Sequence, residues 1–293
     1  MAKKFAIYTA VVGHYDEIKQ PLVIDDRFDY ILFSNDIKEK EVGVWIIKPI
    51  PYSNPIQTKI ARWVKTHPEE LLPEYEASLW MDSNIIITAA YAYDRVAELQ
   101  SQNASLSTMK HHRRDCVYDE LFELLCCRAE HENVVLRWGS KLRKEDYPQG
   151  NGLCETGVFF RNHKDDRVAE FDAFWWKCIE EYSRRDQFSV NYALWKLGMD
   201  WTWFMPDGRS VYDSGCFEIV QHTDGMPKVK IIEFGKDEAW LVRYCQKHPE
   251  EKTHIGRLYY RFYGMPFPSL WTYLVGQCYR FRHLSSSWLK KNK

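Results

Sequence analysis

Five short stretches of this sequence carry side chains able to do chemistry. Asp82, Ser83 and Asn84 follow the apolar run Leu79-Trp80-Met81. A carboxylate at the carboxyl end of a strand, with a second oxygen ligand two residues on, stands where open α/β sheets bind their ligands. Hard oxygen donors suit Mg2+ or Mn2+, ions that bridge to substrate phosphates. Asp and Asn at this spacing also form plain turns, and the two readings stand side by side. Lys59, Arg62 and Lys65 recur every three residues, on neighbouring parts of one helix face. Turned toward the strand ends they would neutralise a diphosphate; turned outward they are a solvated face. The run Lys110-His111-His112-Arg113-Arg114-Asp115-Cys116 concentrates cationic and titratable groups. Adjacent histidines in a strand point to opposite faces. That favours phosphate binding over a metal cluster, with a surface charge run as the alternative.

The stretch Asn151-Gly152-Leu153-Cys154-Glu155-Thr156-Gly157 sets small and polar residues before the apolar strand Val158-Phe159-Phe160. Glycine lets a backbone approach a ligand closely. Glu155 could accept hydrogen bonds from substrate hydroxyls or act as a base; a structural turn is the competing reading. Arg184-Arg185-Asp186-Gln187 opens a helical pattern. Asp186 either caps that helix or, with Gln187, faces a cleft beside a reacting carbon. His222 ends a late apolar run and could be a third metal ligand or a structural histidine.

The elements that must position these groups alternate. Apolar β-rich runs occur at 5–12, 30–33, 44–47, 78–81 and 157–160. Helical periodicity covers 54–67, with Pro68 as its limit, then the segment around 168–182, then 186–197, with Gly198 as its stop. Buried strands without polar alternation, interleaved with helices, predict an α/β fold with a mainly parallel sheet covered on both faces. After about residue 226 the pattern weakens. The last stretch, 266–293, mixes aromatic residues with Arg280, Arg282, Lys290, Lys291 and Lys293.

A formal net charge of −1 argues against a dedicated nucleic-acid binder. Aromatic residues make up 15% of the chain, most of them expected in the core. The eight cysteines form no C-x-x-C pair and read as reduced thiols. No apolar run is long enough to span a membrane. The apolar start is broken at His14, Tyr15 and Asp16 without a cleavage site, so it reads as a first strand. The expected setting is cytoplasmic.

Taken in order, YTAVVGHYD, YILFSND, KIARWVKTHPEELLPEYEASLWMDSNI, ETGVFFRNH and RRDQFSVNYAL resemble a GT-A glycosyltransferase. The segments KTHP, WMDSN, KHHRRDCVYDE and RRDQ are similar to the family first called domain of unknown function 616, which includes plant mucilage-related and turgor-regulation-related proteins. The resemblance covers residues 4 to 200. A more distant similarity links Asp82 with Asn84, Glu155-Thr156-Gly157, Asp186-Gln187 and His222 to the family-8 retaining glycosyltransferases, with Asn84 in place of a second carboxylate.

The resemblance implies a Rossmann-like GT-A domain over 1–225. It also implies a C-terminal helical, aromatic extension over 226–293, packed on that domain or membrane-associating. It implies transfer of a sugar from a nucleotide-diphosphate donor, uridine diphosphate favoured, to a glycan or lipid-linked acceptor, with retention favoured. Thr9, Ala10, Val11 and Gly13 would line the nucleotide pocket. Lys59, Arg62, Ser83, His111 and Arg113 would assist at the diphosphate. Asp82, Asn84 and His222 would hold Mn2+ or Mg2+, and Asp186, Gln187 and Glu155 would serve the transfer. Two other classes remain open: a metal-dependent, ceramidase-like amidase, although no H-E-x-x-H, H-x-x-E-H or G-x-S-x-G occurs, and an inactive sugar- or nucleotide-binding module. The aromatic and basic tail could also lie on the inner face of an anionic membrane.

Overall fold

The computed structural model describes residues 4–13, 16–222 and 240–291. His14, Tyr15, the domain boundary expected at 225–226 and Lys293 lie outside the described residues.

The elements run β1 (Phe5–Ala10), β2 (Phe28–Phe33), β3 (Glu41–Val42), β4 (Trp45–Lys48), α1 (Gln57–Lys65), α2 (Pro68–Leu71), β5 (Ala77–Met81), β6 (Ile85–Ile87), α3 (Tyr91–Ser101) and β7 (Leu106–Lys110). They continue with α4 (Val117–Cys126), α5 (Glu132–Lys144), β8 (Cys154–Asn162), α6 (Asp166–Glu181), α7 (Val190–Leu197), β9 (Trp201–Trp203), β10 (Phe217–Ile219), α8 (Trp240–Lys247), α9 (Lys252–Tyr263) and α10 (Pro268–Lys291).

Two units form. One holds residues 1–114 and 152–225, the other 115–151 and 226–293. Residues 115–151, read from the sequence as part of the first domain, pack with the second unit. The reason is visible in the helices. α5 buries Val135, Leu136, Trp138 and Leu142, and α9, against which it packs, buries Ile255, Tyr259, Phe262 and Tyr263. Gly139 is where they touch most closely, since a Cβ there would fall 2.5 Å from the Tyr263 ring.

The first unit is α/β. Its eight-stranded sheet has the order β3-β4-β2-β1-β5-β8-β7-β9. β1 pairs parallel with β2 and β5, β2 with β4, and β7 with β9. β8 runs antiparallel to both of its neighbours, and β3 to β4. This is the mainly parallel sheet that the uninterrupted apolar runs predict. Alternation along the central strands supplies two cores. Ile7, Leu79 and Met81 belong to one, and Ala6, Tyr8 and Trp80 to the other.

Two details depart from the sequence reading. The first helix opens only at Gln57, because Asn54 Oδ1 accepts the Ile56 N–H and holds a turn before it. The helix expected over 186–197 is a 3-10 turn at Asp186–Phe188 followed by α7, closed by Gly198 in the left-handed conformation (φ 56°). Asp186 does not cap it; its carboxylate is turned elsewhere. From residue 240 to 291 the chain is largely helical, as the expected C-terminal extension requires, although its sequence pattern is weak.

One ion pair lies wholly inside the sheet core. Arg161 donates from Nε and Nη2 to the two carboxylate oxygens of Asp172 (2.7 and 2.8 Å) and from Nη1 to the Tyr8 hydroxyl (3.1 Å). Both charged side chains are fully buried. Removing one partner leaves the other uncompensated, so Asp172→Ala should destabilise by about 3–5 kcal/mol. A urea midpoint unchanged from wild type would contradict this role.

Candidate active site

α1, β5, β8 and the 3-10 turn bring four charges together at the carboxyl ends of β1 and β5. Lys65, the last residue of α1, is fully buried; its Nζ contacts Asp186 Oδ2 and lies 3.6 Å from Asp82 Oδ1. One turn earlier, Arg62 places Nε 3.1 Å from Asp186 Oδ1 and Nη1 3.5 Å from Asp82 Oδ1. Thr156 Oγ1 donates to Asp186 Oδ2 (2.9 Å), and Trp175 Nε1 donates to the Asp186 carbonyl (3.1 Å). Trp80 Nε1 donates to Asp82 Oδ1 (2.8 Å). The Lys65 ammonium sits 5.5 and 5.7 Å from the ring centroids of Trp80 and Trp175, within cation–π range.

Burial alone would raise the Asp186 pKa. Arg62, Lys65 and the hydrogen bonds from Lys65 and Thr156 outweigh it and hold the carboxyl well below the usual carboxylate range. Asp186 is therefore a fixed anion, whereas Asp82, 29% exposed, faces outward.

Beside Asp82 is a cleft lined by Thr9, Val11, Lys19, Trp45, Asp82 and Ser83 among others. Two buried polar atoms here have no partner among the described residues: Thr9 Oγ1 in the cleft, and Gln187 Nε2 next to Asp186. Buried polar groups are normally satisfied, so a water or a ligand completes the bonding at each. Gly13 has φ +70° and donates its N–H to Asp36 (2.6 Å), and a Cβ there would strike Gln57. Ala10 packs into the core on the sheet's other face from Val11.

The remaining residues divide. Lys59 does not join Arg62 and Lys65; its Nζ donates to the Glu180 carbonyl at the end of α6 (2.7 Å). Asn84 Nδ2 donates to the Val220 carbonyl (3.2 Å), beside the two-stranded β6–β10 ribbon. His222 Nδ1 lies 2.8 and 3.0 Å from the carboxylate oxygens of Asp16, and Ser83 Oγ also donates to Asp16. The hydrogen bond that His222 donates to Asp16 raises the His222 pKa despite partial burial.

Asp82, Asn84 and His222 are the side chains that would hold a divalent cation. Asp16 fixes the proton of His222 on Nδ1, the carboxylate–imidazole arrangement that turns Nε2 toward a metal. Gly157 lets the Ile85 side chain pack beside Asp82, since a Cβ there would fall 2.8 Å from Ile85 Cδ1 and 3.6 Å from Asp82 Oδ2. The donors are one carboxylate, one amide and one imidazole, a set with little negative charge to hold a hard ion tightly.

A second cluster lies at the other end of the β8 opening. Among the described residues, His111, His112 and Glu155 have potential ligand atoms all within 4.8 Å of one another. The rule of opposite faces for adjacent histidines does not apply, because both lie beyond the end of β7, and their rings stack at 4.8 Å. Glu155 Oε1 accepts from His112 Nδ1 (2.5 Å) and from its backbone N–H (3.2 Å); Oε2 accepts the Val211 N–H (3.1 Å). Burial pushes the His111 pKa down to about 4, with Arg114, His112 and Arg113 acting the same way. The backbone N–H of Arg113 donates to His111 Nδ1 (3.1 Å).

Sequence reasoning missed Asp16, Thr156 and Trp175. Asp16 read only as the end of an apolar run, Thr156 was overshadowed by Glu155, and Trp175 matched the apolar face of a helix.

The buried Asp186 and the partly exposed Asp82, both paired with Arg62 and Lys65, form the charged centre of this site. The model of the TOD1/MUCI70 glycosyltransferase-like domain matches residues 1–208, and the chain belongs to that family. No curated protein matches it. Among solved structures, the apo bifunctional glycosyltransferase WbbM matches with a TM-score of 0.42 at 10% identity, over 69% of this chain and 38% of its own. Mouse xyloside xylosyltransferase 1 in its apo form matches with a TM-score of 0.40 at 9% identity, over 67% of this chain and 82% of its own. The chain thus spans well under half the length of WbbM.

The depressed Asp186 pKa sets a pH dependence. A carboxyl with a folded pKa below its unfolded value of about 3.9 adds stability that is complete above that value and is lost as pH falls toward the folded one. Lys65→Met removes a cation from a buried anion. It should cost about 3–5 kcal/mol near neutrality and start acid unfolding at higher pH than in wild type. Melting curves between pH 3 and 7 that superimpose for the two proteins would remove Lys65 as the counter-ion of Asp186.

Proposed function

We propose that the chain transfers a sugar from a nucleoside-diphosphate sugar, a uridine diphosphate sugar foremost, to a hydroxyl of a glycan or lipid-linked acceptor. The observation that carries this reading is the clustering of Asp82 and Asp186 around Arg62 and Lys65 at the sheet's carboxyl ends, in a chain of a glycosyltransferase-like family.

In this reading the nucleotide enters the cleft at Thr9, Val11 and Gly13, and the unpartnered Thr9 hydroxyl bonds to it. Asp186, buried with both oxygens engaged and with Gln187 beside it, holds Arg62 and Lys65 in place and so orients the groups that meet the donor. Arg62, 21% exposed, turns its outer edge to the diphosphate and offsets the charge that grows as the bond to the sugar breaks. Mn2+ or Mg2+, held by Asp82 with Asn84 and His222, would add charge stabilisation on the leaving group. Retention of configuration is the favoured outcome. Inversion needs a carboxylate base, but Asp186 is held far from the pKa of one and Glu155 has both oxygens engaged.

Nucleoside diphosphate release from a panel of uridine diphosphate sugars with Mn2+ tests this directly. Wild type should turn over at least one donor. Asp186→Ala and Asp82→Ala should lower kcat by about 100-fold or more, the scale for lost charge stabilisation, and a chelator should lower it too. No heat with any donor in titration calorimetry would end the proposal. Free sphingoid base from ceramide, with no donor consumed, would point to the amidase class instead. Donor binding without turnover would point to the inactive module.

The acceptor's setting can be approached through α10. No helix among the described residues is long and apolar enough to cross a membrane. Yet Phe267, Leu270, Trp271, Leu274, Phe281 and Leu284 are exposed on or beside α10, in a segment with Arg280 and Arg282. Apolar and cationic side chains together favour an anionic lipid surface. The chain should co-float with phosphatidylserine vesicles, and Phe267→Ser with Phe281→Ser should reduce this to the level seen with neutral vesicles. Equal flotation of variant and wild type would remove the membrane contact.

A further inference from the structure

The cluster of His111, His112 and Glu155 has the spacing of a metal site but not its chemistry. His111 Nδ1 accepts the backbone N–H groups of Arg113 (3.1 Å) and Arg114 (3.0 Å). Its proton therefore sits on Nε2, and the ring offers no second lone pair to an ion. The His111 and His112 rings are stacked within 25° of parallel, so their in-plane lone pairs run side by side and do not converge.

What the cluster does build is a presented imidazole. Glu155 Oε1 takes the Nδ1 proton of His112, while Oε2 is anchored by the Val211 N–H. The carboxylate thereby fixes both the tautomer and the orientation of His112 and leaves Nε2 as a hydrogen-bond acceptor. No described residue takes that nitrogen. Beside it, 4.3 Å from centroid to centroid, lies the ring of Tyr212, 64% exposed.

Tyr212 is not a loose surface residue. It sits in a 3-10 turn at Val211–Asp213 closed by a capping box, in which Asp213 accepts from the Ser210 N–H (2.6 Å) and hydroxyl (2.7 Å). Arg209 Nη1 donates to the Asp213 and Ser214 carbonyls (3.3 and 2.9 Å), and Ser214 Oγ donates to the Val211 carbonyl (3.0 Å). The turn backbone is fixed, and it presents a large aromatic face to water beside one fixed polar group, the pairing on which an apolar ring face with flanking hydroxyls can settle. Tyrosine offers such a face at low entropic cost.

We propose that Tyr212 and His112 form the subsite for the acceptor saccharide. The Tyr212 ring stacks on the apolar C–H face of a pyranose, His112 Nε2 accepts from one of its hydroxyls, and Glu155 is the positioning residue. This rests on the glycosyl-transfer reading, and the chain connects the two places. Glu155, Thr156 and Gly157 are consecutive on β8; Thr156 bonds Asp186 and Gly157 adjoins Asp82. Adjacent residues of β8 therefore reach both places: Glu155 holds His112, and Thr156 holds the Asp186 of the donor site.

The test uses the full chain and the methyl glycosides of glucose, galactose, mannose and xylose, followed by saturation-transfer NMR and calorimetry. Wild type should bind at least one. Tyr212→Ala should weaken it by about tenfold and His112→Ala by about threefold, while Tyr212→Phe, which keeps the face and loses only the hydroxyl, should bind as wild type. Uridine diphosphate titrated into the same wild-type sample reads the donor cleft separately. Saccharide binding without nucleotide binding would end the donor reading yet uphold this subsite. Nucleotide binding with no saccharide binding would overturn the subsite. So would saccharide binding by Tyr212→Ala equal to that of wild type, or one equivalent of Zn2+ retained by wild type and lost in His112→Ala.

Discussion

A carboxylate buried at the edge of a protein core is tolerated only with its counter-charges in place, and Asp186 is such a group. Much of the site's architecture follows from meeting that requirement. Lys65 must end α1 pointing inward, and Arg62 must stand one turn earlier to reach the other oxygen. The backbone at Lys65 is itself held, since its carbonyl accepts the Tyr8 hydroxyl (2.9 Å), which in turn receives Arg161. A continuous set of polar contacts thus runs from Asp172 in the core, through Arg161, Tyr8 and Lys65, to the buried Asp186.

The sheet supplies the rest by breaking its own regularity. Between Thr108 and Met109 of β7 the register against β8 shifts, so that Thr108 faces Phe159 while Met109 faces Glu155. The freed stretch of β8 would leave carbonyls exposed in the interior. Thr108 Oγ1, close enough to two of them, satisfies Glu155 O (2.8 Å) or Val158 O (2.9 Å). Bulges of this kind re-aim side chains beside functional sites. Here the bulge sends Thr156 to Asp186 and puts the bare Gly157 next to Asp82, while Glu155 reaches the histidines beyond β7.

Some of this was legible in the sequence because it depends on local patterning. Uninterrupted apolar runs marked the buried strands, Asp82 fell at a strand end, and the spacing of Arg62 and Lys65 put them on one helix face. Lys59 shared that spacing but not the outcome. Periodicity fixes a face, whereas the C-terminal carbonyls of α6 decide where a long flexible side chain settles. The partnership of Asp16 with His222 joins residues 206 apart in the chain and has no local signature at all. Asp186 misled for the opposite reason: it carries a strong local signal for a helix cap, and a tertiary ion pair overrode it. The helices after residue 240 were hidden because their aromatic faces pack on residues 115–151, an insertion that no break in composition announces.

The charges at the centre also constrain what the cleft accepts. Two carboxylates face two cations, so Asp82, Asp186, Arg62 and Lys65 sum to nothing before a ligand arrives. A diphosphate brings negative charge into a place with no surplus of positive charge, and Lys19 at the rim is already paired with Glu17 (3.1 Å). On the proposed reading, attraction would come from a cation entering with the donor, or from Arg62 exchanging Asp82 for phosphate. A set of one carboxylate, one amide and one imidazole would hold such an ion weakly until phosphate oxygens completed its shell. Asn84 in place of a second carboxylate would then couple the ion's residence to the donor.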